Sequence, residues 1–560
     1  MVKKFLNYFH KEFNDLHHTA LILAVAGMGA DVLALFRDRL FASIFGAGRE
    51  LDIYFAAFRV PDLIYTITLL FAANTAIIPI LLKKVEQNEH DARDFFGGLM
   101  SVFLILTILL CGLAFIFMPR LASLIAPGFP GEDSAYIVLL SRIMLISPVL
   151  LGLSNLVSSI VQSYRRFFVY ALSPLFYNLG IILGIILIFP YFGIAGLAWG
   201  VALGALLHLL IQLPSVYRLG FLPHLHFSGI WSDVLAVTKL SLPRTIGLSL
   251  TQLTMTVVTA MASLLASGSI AVFNLAQNLQ SVPLSVVGLS YSVAAFPTLA
   301  RLFVANRRDE FVASVSLALR HIIFWSVPVS VFFIVLRAQI VRVILGAGTF
   351  SWTDTRLTAA AFLLFSFSII SQSIVMLLVR AFYASGRTIM PLLINLVASA
   401  ATLLLAVFLL DTFFANSYFA NIITSALRVE GVVGVAVLVL PLAVSLGSIF
   451  NSLALLFGFY YIFGVKLERA YGRSLLEIVM ASAAGGAVSY FILQFLAPIL
   501  NLDTFMGIFM QGFTAGTLGG AVCLVMLRLM HNAEFMEIWE ALHKRFARMN
   551  VVVAESESIK

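Results

Sequence analysis

Of the 560 residues, 61% are hydrophobic and 11% charged, with a mean hydropathy of +1.02, whereas a water-soluble domain runs near ~45–50% apolar and ~25% charged. Those figures exclude a large soluble enzyme, a disordered scaffold and a disulfide-stapled secreted module, and leave a polytopic membrane protein. Lys and Arg (35) outnumber Asp and Glu (27), a basic excess whose meaning depends on its placement.

Residues 1–18 alternate aromatic and basic side chains and predict a helix lying in the headgroup layer, without the apolar core and cleavage site of a signal peptide. A bilayer core takes about 20 apolar residues per helix. Fourteen runs meet that length: 19–44, 52–82, 95–117, 134–160, 168–189, 193–216, 236–265, 270–301, 312–336, 356–380, 388–411, 431–462, 475–498 and 505–530. Turn residues and most charges fall in the short spacers, such as Gly46-Ala47-Gly48-Arg49-Glu50 and Gly346-Ala347-Gly348-Thr349. The fold class is thus all-α, a polytopic membrane protein of about fourteen spans. After the last, 533–560 opens as an amphipathic cytoplasmic tail.

With the N-terminus inside, inner segments hold 24 Lys and Arg, outer segments six, and Arg37, Arg39, Arg59, Arg142 and Arg244 fall within spans. That asymmetry places both termini in the cytoplasm. It also assigns the basic excess to topology and to anionic inner-leaflet lipid, and argues against nucleic acid.

An internal repeat is visible. Gly48–Pro61 (GRELDIYFAAFRVP) matches Gly268–Pro283 (GSIAVFNLAQNLQSVP) with a two-residue insertion, Phe129-x-x-x-Asp133 matches Phe350-x-x-x-Asp354, and PLFYN at 174–178 matches PLLIN at 391–395. The offsets are 220–222, 221 and 217. Six spans per half give two parallel six-helix lobes, 19–217 and 236–462, with spans 13 and 14 (475–530) added.

Ionisable residues at membrane depth are costly and tend to face water or each other. The first span carries Asp31, Arg37, Asp38 and Arg39. At about 1.5 Å per residue Asp31 lies roughly 18 Å from an inner edge at residue 19. Asp31 and Asp38 share a face, though Arg37 to Arg39 could equally snorkel to the outer headgroups with Asp38 as partner. In the second span Arg59 and Asp62 lie three apart on one side, as a structural ion pair or as part of a site. The seventh span aligns Thr245, Ser249, Gln252, Thr256 and Thr259 behind Arg244, and the eighth aligns Asn274, Gln277 or Asn278, Ser281 and Ser285. Such stripes face protein or water, either as helix–helix hydrogen bonding or as a cavity wall. Five intramembrane arginines against Asp31, Asp38 and Asp62 leave +2, a balance that prefers an anion, and the planar guanidinium suits phosphate oxygens.

The candidate substrate-binding set is therefore Arg37, Asp38, Arg59, Arg244, Asp31, Asp62, Gln252, Asn274 and Gln277. No catalytic residue, metal ligand or cofactor is expected. Phosphate-loop and zinc-protease motifs are absent, Cys111 and Cys523 lie in apolar runs, and His17, His18, His224 and His226 read as solvated. Pro61, Pro79, Pro283 and Pro297 predict kinks or hinges in the second and eighth spans.

The run LFRDRLFASIFGAGRELDIYFAAFRVPDL (35–63) resembles the start of the MurJ/MviN lipid II flippases, and the resemblance continues through LPRTIGLSLTQ (242–252), GSIAVFNLAQNLQSVPLSVVGLS (268–290), FPTLAR (296–301) and RAFYASGRTIMP (380–391). It implies fourteen helices of the multidrug/oligosaccharidyl-lipid/polysaccharide exporter superfamily, not an enzyme. It further implies alternating access that carries lipid II, or another polyprenyl-pyrophosphate-linked sugar, outward across a bacterial inner membrane, by a monomer. Arg37 and Asp38 match the family's R-D, and Asp52 and Pro61 its second-helix pattern. Asp31, Tyr65 and Asn278 stand where many members have arginine, so the resemblance leaves Arg59 and Arg244 as the alternative cavity cations. The competing readings are a related polysaccharide-lipid exporter, a MATE-type cation-coupled drug antiporter and a non-transporting membrane scaffold.

Overall fold

The computed structural model describes residues 16–540 except 73, 222–224, 228 and 465–468. The predicted interfacial segment 1–18 and tail 533–560 thus lie largely outside the described residues. Among those described, every regular element is a helix, as lipid requires of a chain that must satisfy its own backbone.

Among the described residues, twelve helices are long and apolar enough to cross a membrane, or thirteen if the pair Trp352–Ser366 and Ser368–Ala384, bent by 44°, is counted as one span. The charged helix α1 (Leu16–Phe45) corresponds to the remaining predicted span. The second predicted span is covered by α2 (Arg49–Ala57), α3 (Arg59–Ala72) and α4 (Asn74–Gln87), and the chain passes from α2 into α3 through Phe58 with helical torsions (φ −69, ψ −23). Of the four prolines expected to kink or hinge their spans, Pro61 lies in the first turn of α3 and Pro283 immediately precedes a π-helical turn, Leu284–Leu289. Pro79 and Pro297 lie inside continuous helices, so they are not breaks.

The chain forms two compact units. The first comprises Met1–Leu275, Ile344–Thr358 and Asn395–Ala443. It contains α1 to α4, then α5 (Glu89–Ile125), α6 (Gly131–Met144), α7 (Ile146–Ser163), α8 (Phe167–Leu183), α9 (Ala195–Leu210), α10 (Trp231–Ser263) and the start of α11 (Ser269–Pro283). Its core gathers Phe96, Phe103, Leu156, Ile160 and Phe221. Helices α8 and α9 touch backbone to backbone. A Cβ added at Gly180 would fall 2.2 Å from the Gly204 Cα, and one at Gly184 would fall 2.3 Å from the Gly200 Cα. Small residues four apart permit that approach where no hydrophobic effect drives helices together. Gly200→Leu is expected to cost at least about 1–3 kcal/mol by overpacking, read as a lowered Tm of the detergent-solubilised protein; an unchanged Tm would contradict this packing.

The second unit comprises Ala276–Val343, Ala359–Ile394 and Val444–Lys560, with Phe311, Leu377, Phe382 and Phe459 at its core. Just beyond its last membrane helix, α12 (Phe505–Leu529), the side chain of Glu534 is buried and accepts from Arg320 Nε at 2.5 Å and Ser474 Oγ at 2.6 Å. Burial alone would raise this carboxyl, but the hydrogen bonds from Ser474 and Arg320 outweigh it and hold it below the ordinary glutamate range. A carboxylate depressed in the folded state contributes stability above its unfolded value and loses it as pH falls through the folded one. Hydrogen-exchange protection of 533–540 is therefore expected to be flat above the ordinary glutamate range, about 4.3, and to be lost only as pH falls below it. Glu534→Gln should weaken that protection at neutral pH.

Candidate functional site

The charged residues of the first two predicted spans are held inside the first unit. Arg37 donates through Nε (3.0 Å) and Nη2 (2.8 Å) to Oδ1 of the buried Asp38. Its Nη1 donates to Asn178 Oδ1 on α8 at 3.0 Å. The snorkelling alternative thus gives way to an interhelical network, with Arg39 Nη1 donating to the Ile344 carbonyl at 3.2 Å. Asn178 was legible only as part of the repeated PLFYN motif, and its counterpart Asn395 has a buried Oδ1 without a hydrogen-bond partner.

Arg59 is buried on α3 and turns to the second repeat. Its Nη2 donates to Asn274 Oδ1 on α11 at 2.7 Å, and Asn274 Nδ2 donates to the Ile270 carbonyl at 2.8 Å. Arg59 Nε is buried with no hydrogen-bond partner. Among the described residues Arg59 forms no ion pair with Asp62, which is half-buried on the same helix. Of the two readings left open for these residues, the structural ion pair is not the one observed. Tyr65, one turn beyond Asp62, accepts from Asn155 Nδ2 on α7 at 2.7 Å.

The other predicted residues are distributed along the neighbouring helices. Asp31 is half-buried on α1 and Gln252 half-buried on α10, while Arg244 is exposed on α10 within electrostatic range of Tyr170 on α8. Gln277 is half-buried on α11, past the point where that helix passes into the second unit.

A feature of this unit with no place in the predicted set is the way the turns between spans pack against one another at one end. Asp52, buried on α2, accepts from the backbone N–H of Gly268 through Oδ2 and of Ala271 through Oδ1, both at 2.7 Å. A carboxylate from the first repeat thus caps the leading helix terminus of the second, where orphan N–H groups and the helix dipole favour an anion. Gly268 has φ +88 and a Cβ there would fall 1.9 Å from the Ala47 carbonyl. Gly348 has φ +56, and its Cβ would fall 2.1 Å from the Ser43 carbonyl, which accepts from Thr349 N at 2.9 Å. Gly128 N donates to Ser263 Oγ at 3.2 Å. The turns between spans, which the sequence marked only as spacers, are packed here backbone on backbone.

The family model described as lipid II flippase MurJ matches residues 41–509, about the whole of this helical framework. The chain belongs to the lipid II flippase MurJ family. A protein of Buchnera aphidicola subsp. Acyrthosiphon pisum (strain APS), a probable lipid II flippase MurJ, is 30% identical over 509 residues, covering 89% of this chain and 94% of its own length. The lipid II flippase MurJ of Burkholderia cenocepacia is 25% identical over 379 residues, 65% of this chain and 72% of that protein. Among solved structures, a lipid II flippase MurJ in an inward closed conformation superposes with a TM-score of 0.72 at 22% identity, covering 91% of this chain and 99% of that one. An inward-facing MATE-family transporter of the MOP superfamily gives a TM-score of 0.61 at 16% identity, covering 78% and 95%. The chain has the MurJ-type fold, and the multi-pass membrane character belongs to the family.

Proposed function

We propose that this chain is a lipid II flippase, moving the lipid-linked peptidoglycan precursor from the inner to the outer leaflet by alternating access. Membership of the family supports the reading at the level of substrate, and the single structural observation that carries the mechanism is the Asp52 cap. Polar contacts that close one end by joining the two repeats, rather than by covalent continuity, are the kind that a cycle breaks and remakes. With the termini cytoplasmic, as the Lys and Arg distribution predicts, the sealed end faces outward and the substrate enters from the inside.

Within this reading Arg59 is the first contact for the diphosphate. It is buried, its Nε has no hydrogen-bond partner, and the Asn274 amide that it now contacts is a neutral ligand that a phosphate oxygen outcompetes by charge. Arg37, already spanned by Asp38 and Asn178, has its fork filled and serves first to hold α1 against α8. Arg244, Asp31, Gln252 and Gln277 remain candidate contacts for the headgroup sugars and peptide. The protein acts as a transporter without a chemical step, and as a monomer whose basic inner segments sit on anionic lipid.

The test is rescue. Expression of this chain in cells depleted of their own flippase is expected to restore outward lipid II movement, read as accessibility of the precursor to an external lipid II-cleaving toxin. The Arg37→Ala, Arg59→Ala, Arg244→Ala triple variant is expected not to rescue. Failure of the wild-type chain, or full activity in the triple variant, would overturn the proposal.

A further inference from the structure

Asp62 stands apart from the other intramembrane acids. Asp38 is bonded to Arg37 and Asp52 to two backbone N–H groups, whereas the Asp62 carboxylate, half-buried, has no hydrogen bond or ion pair among the described residues. Its charged near neighbour Arg59 points to Asn274 instead. The groups within electrostatic range of Asp62 are Arg59 and Tyr65 on its own helix, Tyr54 on α2 and Tyr177 on α8. Three of these four are phenols. Of the helices packed against α3, α7 carries no charged side chain, α5 carries its charges only at 89–94 and at Arg120, and α6 carries Glu132, Asp133 and Arg142. Arg142 is engaged by the Phe115 carbonyl and Asp133 by Arg49. From α10 the charged residues are Asp233, Lys239 and Arg244, with Asp233 paired to Lys84.

Asp62 sits in the first turn of α3 beside Pro61, and its backbone N–H donates to the Phe58 carbonyl at 2.9 Å. An isolated carboxylate at membrane depth is costly and marks function by default. Placed one turn from the arginine that receives a diphosphate, it sets two negative charges side by side, and such pairs relieve themselves by binding a proton.

We propose that Asp62 takes up one proton when the diphosphate of the lipid-linked substrate binds, so that the anion enters a site whose only unpaired acid has become neutral. This rests on the flippase reading of the site. The step is a simple transfer: water on the entry side gives a proton to an Asp62 Oδ as the phosphate oxygens engage Arg59, and the proton leaves the same oxygen when the substrate departs. Sodium is the less suitable partner because hard cations seek several oxygen ligands, and one carboxylate with phenols offers few.

The experiment measures binding of lipid II to the purified full-length protein in detergent across about pH 6 to 8, a range in which a diphosphate diester lacks the second ionisation, near about 6, that a phosphate monoester carries. Wild-type affinity is expected to fall with rising pH, toward about tenfold per pH unit for one linked proton. Asp62→Asn is expected to bind with no such slope and to match the wild type at the acid end, while Asp62→Glu keeps the slope. His208, hydrogen-bonded to Ser154 between α7 and α9, is a histidine outside the proposed site, so His208→Asn serves as control and is expected to keep the slope. A flat wild-type profile, an unchanged slope in Asp62→Asn, loss of slope in His208→Asn alone, or dependence on sodium instead of pH would overturn the proposal while leaving the flippase reading intact. Absence of lipid II binding by the wild type at every pH would overturn both.

Discussion

Asp52→Ala is expected to abolish transport and leave the sealed end standing open. The substitution removes the two hydrogen bonds that the N–H groups of Gly268 and Ala271 donate to a buried carboxylate and returns those donors to an unsatisfied state. Hydrogen bonds to charged groups contribute about 1.5–3 kcal/mol each, so the closed arrangement loses about 3–6 kcal/mol. About 5.5 kcal/mol carries a two-state equilibrium from 99:1 to 1:99. The loss is therefore of the size needed to invert the resting population. Labelling of a cysteine placed at Ser263 by a membrane-impermeant maleimide is expected to rise more than about tenfold, since ~1.4 kcal/mol already gives that factor. Asp52→Asn, which retains one acceptor oxygen, should fall between. Labelling unchanged in Asp52→Ala would show that the cap does not hold the end closed.

Arg59→Ala is expected to be the most damaging single change at the binding site. Truncating one partner of a buried charge-assisted contact costs about 2–5 kcal/mol, which corresponds to roughly 30- to several-thousand-fold in lipid II affinity or transport. Arg59→Lys keeps the charge but not the planar fork that grips two phosphate oxygens, and is expected to recover only part of the loss. Asn274→Ala removes the neutral group that orients Arg59 and should cost far less, about 1 kcal/mol. Precursor translocation in reconstituted vesicles checks the order. Equal activity in Arg59→Ala and the wild type would remove the diphosphate from this position.

The all-helical framework was legible because a membrane allows few answers. An apolar run of sufficient length must be helical, so span positions follow from composition, and the nearly constant offsets of 220, 221 and 217 at Gly48/Gly268, Phe129/Phe350 and Pro174/Pro391 predict a repeat. Partnership was not legible. Arg59 and Asp62 share a helical side, and sequence spacing made them an equal candidate for an ion pair, yet Arg59 reaches a residue more than 200 positions away. Asn178 looked like one letter of a repeated motif because nothing local reveals that α1 presents Arg37 to it. Asp52 was matched to a family pattern without a task, since capping of a distant helix leaves no periodicity. The glycines of the turns between spans were visible, but whether a glycine is there for a turn or for the backbone pressed against it is a tertiary fact.

The contact of Gly180 with Gly204 and of Gly184 with Gly200 also constrains how the molecule can move. Two helices in backbone contact have no compliant layer between them, and sliding one along the other would drive carbonyl groups into the opposite chain. They behave as a strut. Rearrangement during a cycle must therefore be taken up elsewhere, and the π-helical turn Leu284–Leu289, where the α-helical ladder is interrupted, is a joint at which bending meets less resistance. A crosslink that welds the strut should leave the cycle running, whereas one that splints the joint should arrest it.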